Sequence, residues 1–229
     1  MKHKELSGQY KKTVITLRRA IGILGIILPL VVALGAIILG DCTSIQRSIS
    51  LYYNTIMRNA FVGILTATAL FMFAYRGYDY RDRIAGIAAF VFALGIAFFP
   101  ATSQMVKDCG TLCLHVEHYS WIRIVHLVSA ALYFLTLAYI SLFLFTLTDP
   151  KLVFTEEKRK RNNIYRICGF VILGSFLLIA IYMGFIFPHH PQYDRYHPIF
   201  WLESIALWAF GISWLIKGEV AVTDDLSNP

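Results

Sequence analysis

Three groups of polar residues in otherwise apolar stretches have the types and spacing to do chemistry. Ser50, Asn54 and Arg58 are four residues apart, with Tyr53 beside them. Arg123, His126, Ala130 and Tyr133 follow a 3–4–3 spacing, and Glu203 lies six residues after His197. On helices, such spacings place each group on one face. A guanidinium such as Arg58 anchors an anion. An imidazole with a carboxylate, here His126 and Glu203, exchanges protons or holds a ligand. The same set read conservatively is a structural ion pair that fixes helix register.

The cost of burying charge turns these stripes into an expectation of contact. A charged side chain facing lipid costs roughly 2.5–3.5 kcal/mol or more. Arg58 and Glu203 are therefore expected to face inward and meet, directly or through His126. Ser50, Tyr53, Asn54, Arg58, Arg123, His126 and Glu203 form the candidate ligand-binding set, with His126 and Glu203 as candidate catalytic groups.

The elements that must carry these groups are apolar. The chain has 229 residues, 57% of them apolar and 15% charged, with a mean hydropathy of +0.60. Soluble domains carry about a quarter charged residues, so this composition excludes a soluble globule, a disordered chain and a nucleic-acid module. Six runs approach the roughly 20 helical residues that cross a bilayer core: about 20–40, 53–75, 84–106, 121–147, 165–187 and 198–216. In hydrocarbon the backbone must satisfy its own hydrogen bonds, and no alternating barrel pattern is present, so these runs predict helices. The expected fold is all-α: a single six-helix transmembrane domain over 1–229, with short connections and antiparallel neighbours. The first run reads as a retained anchor rather than a cleaved signal.

The net charge is +7, and its distribution gives the orientation. With the N-terminus inside, all but five of the 21 Lys and Arg fall on inner segments; Arg47, Arg58, Lys107, Arg123 and Arg195 are the outer ones. That bias predicts cytoplasmic termini in an inner or plasma membrane, with anionic lipid headgroups rather than nucleic acid as the partner. The inner charges read as snorkelling anchors and solvated loops.

The outer side then holds every histidine except His3, and Cys42, Cys109 and Cys113. In an oxidising compartment Cys109 is expected to pair with Cys113 or with Cys42. The alternatives are free thiols or a metal, zinc or copper, held in that loop with His115 and His118. The loop with His189, His190 and His197 reads as a solvated turn, and the sequence from Tyr75 to Arg83 as a tight, salt-bridged turn. Cys168 reads as a small core residue. Phosphate loops, nucleophile elbows and H-E-x-x-H are all absent. Lys217 lies at the inner end of the last run with no seventh helix, which argues against a retinal-type Schiff base.

Ser48-Ile-Ser-Leu-Tyr-Tyr-Asn-Thr-Ile-Met-Arg-Asn-Ala-Phe-Val-Gly63, Phe99-Pro100, Val125-His126-Leu127, Phe200-Trp-Leu-Glu203 and Trp214-Leu-Ile-Lys-Gly218 together resemble an uncharacterised group of bacterial multi-pass membrane proteins with a domain of unknown function. That resemblance implies a fold and no activity. More distantly, the chain is similar to the ceramidase and adiponectin-receptor superfamily of membrane metal hydrolases, in which Ser50 would stand for the early-helix serine. That family carries an H-x-x-x-H pair on its last of seven helices, whereas this chain has Glu203 there and six runs. The sequence leads to a pocket at the outer leaflet that handles a lipid or small anion. A membrane-embedded lipid hydrolase, metal- or His/Glu-assisted, is the first alternative. The second is a structural or partner-binding subunit, in which Gly22, Gly25, Gly86, Ala89, Gly169 and Gly174 permit close packing or homo-oligomers.

Overall fold

The structure is a computed structural model that describes residues 2–75, 79–101, 109, 120–147 and 155–219. Among these every regular element is a helix, without strands. The long helices are α1 (Lys2–Leu39), α2 (Arg58–Ala74), α3 (Tyr80–Phe98), α4 (Ser120–Tyr139), α5 (Glu156–Ile181) and α6 (Pro198–Lys217). α4 and α5 continue through π-helical turns, Ile140–Leu144 and Tyr182–Ile186. Four segments are long and apolar enough to cross a membrane: Lys12–Leu39, Ser120–Leu144, Glu156–Ile186 and Pro198–Lys217.

Local chemistry sets the helix ends. Asp79 caps α3, accepting from the N–H groups of Arg81 and Asp82, while the Asp82 carboxylate accepts from the Asp79 N–H, a reciprocal capping box. The alternating charges expected to form a salt-bridged turn thus serve partly as a helix start. Thr155 caps α5 through Lys158 N–H. α3 ends at Phe98, one residue before the Phe99-Pro100 step, as a proline requires. Pro198 opens α6, where its missing N–H costs nothing.

Each helix packs on the next, and α6 packs on α1, closing a ring. The core is built from Ile21, Val32, Phe61, Leu137, Ile172 and Trp214. Large apolar side chains are also left on the surface, including Ile38 at 71% and Phe185 at 72% exposure. Small residues set the closest approaches. A Cβ on Gly22 would stand 2.8 Å from the Gly211 carbonyl oxygen, and one on Gly211 would stand 2.6 Å from that of Gly22. Gly86 and Gly169 are likewise spent inside the ring, against Met72 and Leu142, whereas Gly174 faces open space.

Polar contacts tie the two ends of the ring. At one end Arg18 donates to the Lys217 carbonyl at 3.2 Å, Arg19 to that of Gly218 at 2.9 Å, and Lys217 to that of Phe145 at 3.4 Å. Arg18 and Lys217 are buried, so these two cations lock helix ends together and are not the snorkelling anchors expected of them. The opposite end carries Ser50, His126 and Glu203.

Candidate functional site

The stripe Ser50-Asn54-Arg58 is not one helix face. Ile49–Asn54 forms a 3-10 turn, and Thr55 is extended (φ −111°, ψ 177°) before α2 begins at Arg58. Thr55 makes the break: its hydroxyl donates to the Tyr52 carbonyl at 2.8 Å and accepts the Met57 N–H at 3.1 Å. A 3-10 turn has three residues per turn and a β-branched cap interrupts the spiral, so the four-residue spacing loses its register.

The consequence is that Arg58 and Glu203 do not pair. Arg58 Nε donates to the Tyr53 carbonyl at 2.7 Å, and its guanidinium lies 4.5 Å from the centre of the Tyr53 ring. The half-buried Glu203 accepts the Ile49 N–H at 2.7 Å instead. Each charge found a nearer partner, one a carbonyl and an aromatic face, the other an orphan N–H at the start of the turn. Asn54 is buried away from the pocket described below.

Ser50, by contrast, meets His126. The two atoms Ser50 Oγ and His126 Nε2 are 3.1 Å apart, and His126 Nδ1 is 2.7 Å from the Phe99 carbonyl oxygen. A carbonyl only accepts, so Nδ1 carries the proton and Nε2 presents its lone pair to the serine hydroxyl. The turn that carries Ser50 is pinned on both sides. Phe200 N–H donates to the Arg47 carbonyl at 2.9 Å, and Glu203 holds Ile49 two residues further on. Behind it the fully buried Tyr52 accepts the Gln46 N–H at 3.0 Å and packs edge-on to Phe200.

Ser50, Arg123, His126 and Glu203 line one cavity of about 250 Å³. Its other walls are sharply different. α4 and the end of α5 contribute Leu127, Phe134, Phe176, Ile179 and Met183. Arg47 also lines it. This guanidinium pairs with Asp194 at 2.9 Å and stacks 3.8 Å from the centre of the Phe187 ring. Arg123 is exposed at the cavity and makes no ion pair among the described residues. The cavity is therefore amphipathic, with Arg123, the Asp194-paired Arg47, the Glu203 carboxylate and a Ser–His pair facing a hydrocarbon wall.

Of the sequence-derived set, the cavity collects Ser50, Arg123, His126 and Glu203, and leaves Tyr53, Asn54 and Arg58 outside its lining. Two contributions escaped the sequence. Arg47 belongs to a connecting segment with no periodicity, and the α5 wall is indistinguishable by composition from any lipid-facing helix. A disulfide joins Cys42 to Cys109, so of the two pairings left open for Cys109 it is the one to Cys42 that forms. Cys113, His115 and His118, the alternative zinc ligands, lie outside the described residues. Among those described, no group of three His, Cys, Asp or Glu is placed to hold a metal. No protein-family model, curated protein or solved structure matches the chain.

Proposed function

We propose that the protein is a six-pass protein of the inner or plasma membrane whose Ser50-end cavity binds an anionic lipid from the outer leaflet. Four segments are long enough to span unaided. α2 has 17 residues, about 26 Å of helix, and the preceding 3-10 turn extends it toward the roughly 30 Å core. α3 has 19 residues, of which the 15 after Arg83 are uncharged and about 22 Å long. The Lys and Arg bias assigns the Lys217 end and both termini to the cytoplasm.

The single observation that carries the ligand class is the cavity's two-sided wall. Arg123, which makes no ion pair among the described residues, favours a negative headgroup, and Leu127, Phe134, Phe176 and Ile179 favour an acyl chain. A free inorganic anion would use only the first. Its volume, about 250 Å³, is below the 300–1,000 Å³ of clefts that enclose a drug-sized ligand. It suits the linkage and first methylenes of a lipid whose tails remain in the bilayer.

The test is fluorescence binding of NBD-labelled phosphatidylglycerol and phosphatidylcholine to the purified protein in detergent, with inorganic phosphate as competitor. Preferential binding of phosphatidylglycerol, weakened about tenfold by Arg123→Leu, is expected, since a hydrogen bond to a charged group is worth about 1.5–3 kcal/mol. Equal, Arg123-independent partitioning of both lipids would remove the proposal. Displacement by millimolar phosphate would assign the site to a free anion.

A further inference from the structure

The binding cavity holds more chemistry than binding requires. A lipid headgroup needs cations and an apolar slot. It has no need of a serine hydroxyl hydrogen-bonded to a histidine whose tautomer is set by a backbone carbonyl. Building on the lipid-binding reading, we propose that Ser50 is a nucleophile and His126 its general base, and that the bound lipid is cleaved at an acyl ester.

The geometry meets the requirements of nucleophilic catalysis one by one. The nucleophile and base lie at 3.1 Å, within reach for proton transfer. The base presents the correct nitrogen, because Nδ1–H is committed to Phe99 O at 2.7 Å. That same hydrogen bond strengthens when the ring becomes an imidazolium, so the carbonyl fills the orienting and stabilising place that an aspartate takes in a Ser-His-Asp triad. Ser50 and His126 are largely buried yet both line the cavity, which limits water without closing the site. Arg123, which lines the same cavity, supplies positive charge for the oxyanion that develops on the carbonyl oxygen. Glu203 touches neither reacting atom. It holds the Ile49 N–H at 2.7 Å, one residue before the nucleophile, and is a positioning residue.

The steps balance without any further reactant than water. Ser50 Oγ bonds to the ester carbonyl carbon as its proton passes to His126 Nε2. The carbonyl-carbon to glycerol-oxygen bond then breaks, and the proton moves from His126 to the departing alkoxide. Water attacks the acyl-Ser50 carbonyl as His126 takes its proton. The Ser50 oxygen leaves, recovers that proton, and a fatty acid is released. One ester and one water yield one acid and one alcohol, with no change in oxidation state.

The decisive experiment treats the intact protein in detergent with a fluorophosphonate-biotin probe, identifies the modified peptide by mass spectrometry, and follows release of labelled fatty acid from 2-NBD-acyl phosphatidylglycerol. The expected result is modification at Ser50, none in Ser50→Ala, and labelling and hydrolysis at least about 100-fold slower in His126→Ala, the scale of general-base catalysis. That Ser50→Ala and His126→Ala are folded is read separately, from monodispersity and a cooperative thermal transition in detergent. Lipid binding by the wild type with neither modification nor hydrolysis would overturn the nucleophile and leave the binding reading standing. Modification of Ser50→Ala at the wild-type rate would also overturn it. Ser50 labelling and hydrolysis of 2-NBD-acyl phosphatidylcholine at the same rate, without headgroup preference, would sustain the nucleophile while removing the anionic-lipid reading.

Discussion

Two residues of the same type of charge illustrate how far local chemistry decides a role. Arg58 is held by the carbonyl and ring of Tyr53, five residues before it in the chain, and lies outside the cavity lining. Arg123 lines the cavity. Arg58→Leu is therefore expected to leave NBD-phosphatidylglycerol affinity within about twofold, against the tenfold loss for Arg123→Leu; a comparable loss in both would return Arg58 to the site. Glu203 separates charge from geometry. Its bond is to the N–H of Ile49, and a glutamine still accepts there. Glu203→Ala should lower the melting temperature by roughly 4–8 °C, from about 2 kcal/mol of lost charge-assisted bonding in a chain of this size. Glu203→Gln should recover more than half of that, measured by thermal denaturation in detergent. Equal melting temperatures for the alanine variant and the wild type would show that the turn does not depend on this carboxylate.

Among the helices a close backbone contact joins α1 and α6, which meet at Gly22 and Gly211. Helices in lipid have no hydrophobic drive to associate, so contact area gained through small residues does the work. A leucine at Gly211 would collide with the Gly22 carbonyl and Ile26, so α1 and α6 would have to move apart. Gly211→Leu is expected to cost about 3 kcal/mol or more, the upper range for overpacking. Gly174→Leu, at a position with nothing within 4 Å, is the control and should be neutral or slightly stabilising through helix propensity. The comparison is read from monodispersity and melting temperature in detergent; indistinguishable variants would mean the α1–α6 approach is looser than described.

For the whole molecule, closure of the ring and its covalent tie act together. Cys42 follows α1 and Cys109 lies between α3 and α4, 67 positions apart. Closing a loop of that size in the unfolded chain is worth about 4 kcal/mol in the chain-entropy account. Cys42→Ser, or reduction of the wild type, should lower the melting temperature by roughly 8–16 °C. The buried Cys168 should resist maleimide until the protein is unfolded. A melting temperature unmoved by reduction would indicate that the bond is not formed in the purified protein. The proposed orientation makes its own forecast. Reporter fusions at the C-terminus should fluoresce with a cytoplasmic probe, and insertions near Gln192 should be active with a periplasmic one. The reverse pattern would invert the ring and move the cavity to the inner leaflet.

How much was legible in the sequence follows from the physics at each scale. Hydrophobic runs with basic flanks report burial in lipid directly, because transfer energies act residue by residue and need no partner. Glu203 and His126 stood out for the same reason: a polar group in an apolar run must find compensation nearby. What that compensation is cannot be read from spacing. The expected meeting of Arg58 with Glu203 assumed one continuous helix through Ser50, and a single threonine that caps its own turn broke it. Ser50 then fell to His126, 76 positions away, and Glu203 to a backbone N–H. Local sequence determined which segments are helices and which side chains are too polar to face lipid. Only the closed ring decided who meets whom, because hydrogen bonds form between the nearest satisfied geometries in three dimensions, and that nearness is set by packing across helices distant in the chain.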